Sequence, residues 1–217
     1  FVHPFDDALI IEGQGTVGVE ILNAFKGDID YLFIPIGGGG LSAGVGTYFK
    51  KLSPNTKIIG VDISVQMLEA GIKKINDKKL ADKITLIEGD SENLQFEKNT
   101  FDACTVAFGV RNFENLQKGL DEIYRVLNTG APIVVLEFSK PKSFPFKQLY
   151  NFYFSTILPA IGRLVSGDSR AYTYLFESVS AFPEGDAFIH FLKQAGFKNC
   201  TCTRLSLGIC SLYIAEK

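Results

Sequence analysis

Short apolar runs alternate with amphipathic stretches from residue 31 to residue 138, and this alternation constrains the fold more than any other feature of the chain. YLFIPI, a buried strand by composition, is followed by GGGG and a helix from Leu41 to about Lys51; KIIGVDIS, a strand ending at Asp62, is followed by the amphipathic VQMLEAGIKKIND. KITLIEGD and FDACTVAFGV supply two further strands, Phe113 to Leu127 a helix, and APIVVLEFS a fifth strand. Strands separated by helices need long crossovers, so they run parallel in a doubly wound sheet. YLFIPI is expected between KIIGVD and FDACTVAF, because a gap beside those apolar strands would leave backbone donors and acceptors unpaired.

Ahead of the first strand, Gly15 to Phe25 has apolar residues at helical spacing, with Thr16 as cap and Gly27-Asp28 as stop. After Pro141 comes an aromatic-rich helical region, FPFKQLYNFYFSTILPAIGRLV, then helices at Tyr172 to Ser180 and Glu184 to Ala195. KNCTCTRLS and GICSLYIAEK read as an antiparallel hairpin at the sheet edge. With 217 residues, 46% of them hydrophobic, the chain can bury one sizeable core, so residues 1–217 are expected to form a single composite domain.

Gly37, Gly38, Gly39 and Gly40 stand between strand and helix, where glycine lets backbone N–H groups approach a ligand and the helix N-terminus favours negative charge. Tight strand-to-helix turns also select glycine, and four in succession favour the cradle reading. Asp62 ends the next strand some 22 residues on, which suits a carboxylate accepting hydrogen bonds from ribose hydroxyls; it would serve equally as a helix N-cap, as would Ser64. Asp90 and Ser91 end the third strand in the same way, and two acidic strand ends at one crevice suit a nucleoside. The fold class is therefore α/β, three-layer and Rossmann-like, mostly parallel, with a C-terminal antiparallel hairpin and a helical insertion after strand five. Arg111 and Asn112 follow the fourth strand as candidate substrate contacts, Asn112 reading also as the N-cap of the next helix.

Other chemistries find less support. Twenty-two basic against 24 acidic residues leave no positive excess for a phosphate backbone, so no nucleic-acid partner is expected. Cys104, Cys200, Cys202 and Cys210 fit neither a disulfide framework nor a four-ligand zinc site, and read as reduced, half-buried thiols; no metal is expected. His3 and His190 have no evident nucleophile or metal partner, so no catalytic residue is assigned. The uncharged stretch from Gln148 to Gly162 is too short to span a bilayer and, rich in Phe and Tyr, forms core or walls a greasy substrate site. FVHPFDDALI lacks a secretion signal and a leading Met, so a fragment located in the cytoplasm is expected.

From about Ile58 to Lys217 the chain resembles the ubiquinone/menaquinone biosynthesis C-methyltransferases, class I enzymes using S-adenosylmethionine. The resemblance rests on IIGVDIS, QMLEAG, GDSENLQF, NTFDACTVAFGVRN, YRVLNTGAPIVVLEFSKP, ILPAIGRLVSGDSRAYTYLFESV and AGF. It implies that Asp62 binds the ribose hydroxyls, that Asp90 and Ser91 frame the adenine, and that a hydrophobic quinol is the acceptor. Residues 1 to about 60, by contrast, resemble a fragment of threonine dehydratase, an enzyme dependent on pyridoxal phosphate, through VHPFDD, IEGQGTVGVEIL, DYLFIPIGGGGLSAGV and PNTKIIGV. In that family the GGGGL loop holds the cofactor's phosphate. The Schiff-base lysine has no counterpart here, so covalent binding of pyridoxal phosphate and elimination of threonine are not expected.

The two resemblances meet at KIIGVDIS, and the chain reads as an engineered-looking chimera. Pro35 and Ile36 stand where the methyltransferase pattern has an acidic strand end, and Ala107 where some relatives have serine. Both departures predict impaired or lost methyl transfer. The alternatives are an inactive folded scaffold, or a remnant that still binds an anion through backbone donors at Gly37 to Gly40.

Overall fold

The structure is a computed structural model that describes residues 7–25, 27–36, 39–77, 81, 82, 84–157 and 170–217. Its internal contacts gather into two compact units, Phe1–Asp90 and Ser91–Lys217, and each is taken by itself.

In the first unit, helix α1 (Ala8–Ala24) precedes strand β1 (Tyr31–Pro35), helix α2 (Gly40–Leu52), β2 (Lys57–Asp62), α3 (Val65–Asp77) and β3 (Ile84–Glu88). The sheet order is β1-β2-β3, with both ladders parallel. Ile34 on β1, Ile58 on β2 and Ile84 on β3 are buried with Val45 and Phe49 of α2. Gly46 of α2 lies where a Cβ would come within 2.9 Å of Ile84 Cδ1, and Gly71 of α3 where one would meet Leu86 Cδ1 at 2.6 Å. Both helices therefore cover one face of this sheet.

Helix α1 begins seven residues before the expected Gly15. Asp7 caps it, its carboxylate accepting from Leu9 N at 2.9 Å, whereas Thr16 sits inside the helix and donates to Gly13 O at 2.7 Å. The reason is packing on α2: a Cβ on Gly44 would lie 2.3 Å from Ile11 O and 2.6 Å from Gly15 N. That close approach repays the cost of two glycines in a helix interior, about 0.8–1.0 kcal/mol each relative to alanine.

The second unit holds β4 (Cys104–Ala107), a 3-10 turn (Val110–Asn112), α4 (Leu116–Val126), β5 (Pro132–Phe138) and α5 (Phe146–Phe152), which continues as a π-helical turn over Tyr153–Ile157. Helices α6 (Arg170–Ala181) and α7 (Asp186–Gln194) and strands β6 (Lys198–Leu205) and β7 (Cys210–Glu216) follow. The sheet order is β4-β5-β7-β6; β4 and β5 are parallel, and the β6–β7 pair is antiparallel with β6 outermost, the hairpin expected from the sequence. Ile133 and Val135 of β5 and Tyr213 and Ala215 of β7 face Leu120 and Ile123 of α4 and Phe188 and Leu192 of α7 in one core.

Helix α4 starts three residues later than expected. Asn115 is its N-cap, accepting from Lys118 N at 3.1 Å, which overturns the reading of Asn112 as the cap. Phe113 instead lies against the helix, so close to Gly119 that a Cβ there would meet its ring at 2.3 Å. The ladder expected between YLFIPI and FDACTVAF would join strands of different units, β1 and β4.

Candidate functional site

Parallel pairing in the first unit brings the carboxyl ends of its strands to one edge: Pro35 is in register with Val61, and Asp62 with Glu88. Gly37 and Gly38 lie outside the described residues. Gly39 takes φ 87°, a left-handed conformation that favours glycine, and leads into α2 with no side chain capping the helix. Its N–H donates to Ile36 O at 2.8 Å, while its carbonyl accepts from Ala43 N at 2.9 Å and from Ser42 Oγ at 3.1 Å. Among the described residues nothing lies within 4 Å of where a Cβ on Gly39 would stand. Gly40 is buried as the first residue of α2. This turn feeds a helix N-terminus without a side-chain cap, where backbone N–H groups and the helix dipole favour negative charge.

Asp62 is half-buried at the end of β2, and its Oδ1 accepts from Ser64 N at 2.9 Å, an Asx turn into α3. Ser64 Oγ accepts from Met67 N at 3.4 Å, so of the two residues it is Ser64 that bonds the helix's first turn. Gly89 N donates to Asp62 O at 3.1 Å, which holds the chain leaving β3, and Asp90 with it, against the end of β2. Asp62 and Asp90 thus occur at the same edge, as expected from the sequence. Ser91, half-buried, is the first residue of the second unit.

In the second unit, Arg111 sits in the turn after β4. Its Nη1 donates to Glu137 Oε1 at 2.9 Å and to the Phe108 carbonyl, and its backbone N–H donates to Glu137 Oε2 at 3.3 Å. Glu137 is fully buried on β5, and the Arg111 side chain is only 11% exposed. Phe138 N gives Glu137 Oε1 a further bond at 2.8 Å, and the guanidinium lies 5.3 Å from the centre of the Phe138 ring. Arg111 Nε is buried without a hydrogen-bond partner among the described residues. Asn112 is exposed, and its Oδ1 accepts from Tyr174 OH at 3.1 Å.

Glu137 and Tyr174 were not singled out from the sequence. A lone carboxylate in the apolar run APIVVLEFS was the available signal for Glu137, because a charge in a strand interior demands a partner. Tyr174 carries no comparable mark.

The aromatic stretch contributes to both core and cavity. Tyr150 and Phe154 are buried and stacked at 4.3 Å between ring centres. With Phe146, Leu149, Tyr153 and Leu207 they line a cavity of about 220 Å³ that is almost wholly apolar. Burial pushes the Tyr150 hydroxyl up to about 12, the nearby Cys210 and Glu184 adding to the effect, so it stays a neutral phenol at physiological pH.

All four cysteines are free and half-buried, and burial raises the Cys104 thiol to about 12. Among the described residues no group of three or more His, Cys, Asp or Glu side chains gathers as a metal site, and no helix is long and apolar enough to cross a membrane. His190 is exposed on α7, whereas His3 lies outside the described residues.

Residues 21–217 match the model of the ubiE/COQ5 methyltransferase family. The demethylmenaquinone methyltransferase of Porphyromonas gingivalis is 44% identical over 165 residues, covering 76% of this chain and 67% of that one. The ubiquinone/menaquinone biosynthesis C-methyltransferase UbiE of Geotalea daltonii is 42% identical over 163 residues, 75% of this chain and 69% of that one. The chain thus spans about two thirds of the length of these relatives. Among solved structures, an S-adenosyl-L-methionine-dependent methyltransferase from Methanococcus maripaludis superposes with a TM-score of 0.61 at 20% identity, over 97% of this chain and 87% of that one. A SAM-dependent methyltransferase from Aquifex aeolicus gives a TM-score of 0.56 at 15% identity, over 91% and 88%. The Rossmann-like α/β class expected from the sequence is the fold these proteins share.

Proposed function

The chain belongs to the ubiE/COQ5 methyltransferase family, and we propose that its site is built for S-adenosylmethionine-dependent methylation of a ring carbon in a hydrophobic quinol of the demethylmenaquinol type. The observation that carries this reading is the edge of the first unit, where the left-handed Gly39 opens onto an uncapped α2 and Asp62 stands at the next strand end. When bound, S-adenosylmethionine supplies an electrophilic methyl group.

In this reading the turn Gly37 to Gly40 receives the methionine carboxylate, with the Gly39 N–H kept by Ile36 O and so not among the donors, Asp62 accepts from the ribose hydroxyls, and Asp90 and Ser91 frame the adenine. Arg111 and Asn112 contact the quinol. Glu137 holds Arg111 in place through two of the bonds described above, to Nη1 and to the backbone N–H, so those two donors are already engaged when a substrate arrives. The apolar cavity beside Tyr150 takes part of the quinol's hydrocarbon and keeps water away from it. Methyl transfer forms a carbon–carbon bond, breaks the sulfur–carbon bond and releases the ring proton, and alignment of the three reacting atoms contributes much of the acceleration.

The finer reading is that residues 1 to about 60 are a dehydratase-like segment joined to a methyltransferase, and that the join impairs the reaction. Its support is the motif IEGQGTVGVEIL…IPIGGGGLSAGV, together with Pro35 and Ile36 at the strand end. The family match begins at residue 21, so residues 21–60 fall within both resemblances. Isothermal titration with S-adenosylmethionine tests the site directly: saturable heat supports it, and no heat at millimolar cofactor rejects it. Binding without methylation of a demethylmenaquinol analogue supports impairment by the join, and turnover at the rate of a full-length relative rejects that part. Release of 2-oxobutanoate from threonine would contradict the assignment of the first segment as inert.

A further inference from the structure

The surface around α5 combines exposed apolar side chains with positive charge. Phe144, Phe146, Leu149, Phe152, Tyr153 and Leu207 are all exposed, Phe144 by 80% and Leu207 by 64%. Phe146, Leu149, Tyr153 and Leu207 meet at the mouth of the apolar cavity, which joins α5 to the β6–β7 turn in one patch. Single exposed hydrophobic residues are ordinary; four gathered at one cavity, with Phe144 and Phe152 exposed on the same segment of chain, mark a surface for contact.

The charge of this patch is opposite to that of the whole. The chain has a net charge of -2, yet residues 139–157 and 204–209 contain Lys140, Lys142, Lys147 and Arg204 and no carboxylate. Lys142 and Arg204 adjoin Leu207 in a shallow pocket beside the apolar one. Glu184 reaches in from outside these segments: it bonds Arg204 Nη2 at 3.3 Å and accepts from Lys140 N at 2.6 Å. Lys140 Nζ is held by Ser180 O at 3.0 Å, which leaves Lys142 and Lys147, both exposed on the segment that carries Phe144 to Phe152, as its outward cations among the described residues.

We propose that this face docks on an anionic lipid bilayer, with Phe144, Phe146, Leu149 and Phe152 entering the headgroup region and Lys142 and Lys147 meeting lipid phosphates. Aromatic and aliphatic side chains ringed by lysine are the chemistry of peripheral membrane contact, each lysine strengthening attraction to an anionic surface about fivefold. The cavity opens within the same patch, so a hydrocarbon chain leaving the bilayer would meet it without crossing water. The surface carries this proposal without the reaction assigned above, and lipid binding is measured separately from cofactor heat.

The test is co-sedimentation of the full chain with vesicles of phosphatidylcholine alone or mixed with phosphatidylglycerol. Binding is expected to the mixed vesicles, to weaken steeply as salt is raised, and to fall at least about tenfold in Lys142→Glu/Lys147→Glu. Phe144→Ser/Phe152→Ser, at exposed positions, should lower binding at low salt as well, with far-UV circular dichroism and melting temperature unchanged. Wild-type chain left in the supernatant with mixed vesicles overturns the proposal, as does either double variant sedimenting like wild type. Self-association that is lost in Phe144→Ser/Phe152→Ser also overturns it, because the face would then be an interface between copies of this chain.

Discussion

Replacing Glu137 with Gln breaks the buried ion pair of the second unit. The carboxylate has no accessible surface and accepts from Arg111 Nη1, Arg111 N and Phe138 N; its partner's side chain is 11% exposed. The amide keeps the volume but removes the counter-charge and turns two N–H donors into a space already crowded with donors. Breaking one side of a buried pair costs about 3–5 kcal/mol, because the remaining ion stays desolvated and unpaired. Against a typical net stability of about 5–15 kcal/mol, that loss takes a large share of the whole. Urea unfolding followed by near-UV circular dichroism, with far-UV ellipticity as a second probe, reads it. The cycle with Arg111→Gln adds the decisive comparison: the two changes together should cost much less than their sum, since each removes the same interaction. A cost below about 1 kcal/mol for Glu137→Gln, or strictly additive effects, would place the pair among weak surface bridges and refute this reasoning.

Three further outcomes are expected. Gly39→Val should abolish cofactor or anion heat in titration calorimetry and cost about 1–2 kcal/mol of stability, a strain cost from the left-handed φ of 87°, since no atom of the described residues lies near the new Cβ. Gly44→Ala should lower the melting temperature of the first unit, since its Cβ would stand 2.3 Å from Ile11 O and force α1 off α2; an unchanged melt would mean the helices separate freely. The hydrogen bonds from Arg125, opposed by partial burial, hold the Glu122 carboxyl below its ordinary value of 4.5. Its stabilising effect is thus complete above about pH 4.5 and lost as pH falls through the lower folded value, so Glu122→Gln should be less stable than wild type at neutral pH and indistinguishable from it in strong acid.

Strand and helix placement was legible wherever local pattern and tertiary burial agree. KIIGVD, VQMLEAGIKKIND and APIVVLEFS became β2, α3 and β5 within a residue or two, because their apolar spacing is also the spacing of the buried face. The beginning of α1 was hidden for a physical reason. ALIIEGQG reads as a poor helix on account of Gly13 and Gly15, yet Gly15 is where α2 passes, a Cβ there meeting Gly44 O at 3.3 Å. Local propensity argued against the helix, and a contact thirty residues away decided for it.

The site divides along the same line. Asp62 and Asp90 were readable because parallel strands bring their carboxyl ends to one edge whatever else the chain does; register sets Asp62 opposite Glu88, and the bond from Gly89 N to Asp62 O keeps Asp90 at that edge. Arg111 was readable as a residue after a strand, but its use was not. Its partner Glu137 lies 26 positions away on β5, and only the pairing of Ala107 with Leu136 brings the turn after β4 alongside it. An arginine in a turn looks free to take a substrate; held by a fully buried carboxylate, it first fixes the turn after β4 to β5. The distinction matters for substitutions at position 111. A loss of activity in Arg111→Gln would follow from collapse of this turn as readily as from loss of a substrate contact, and stability measured on the same sample separates the two: full stability with lost activity would assign Arg111 to the substrate, and parallel loss of both would assign it to holding the turn.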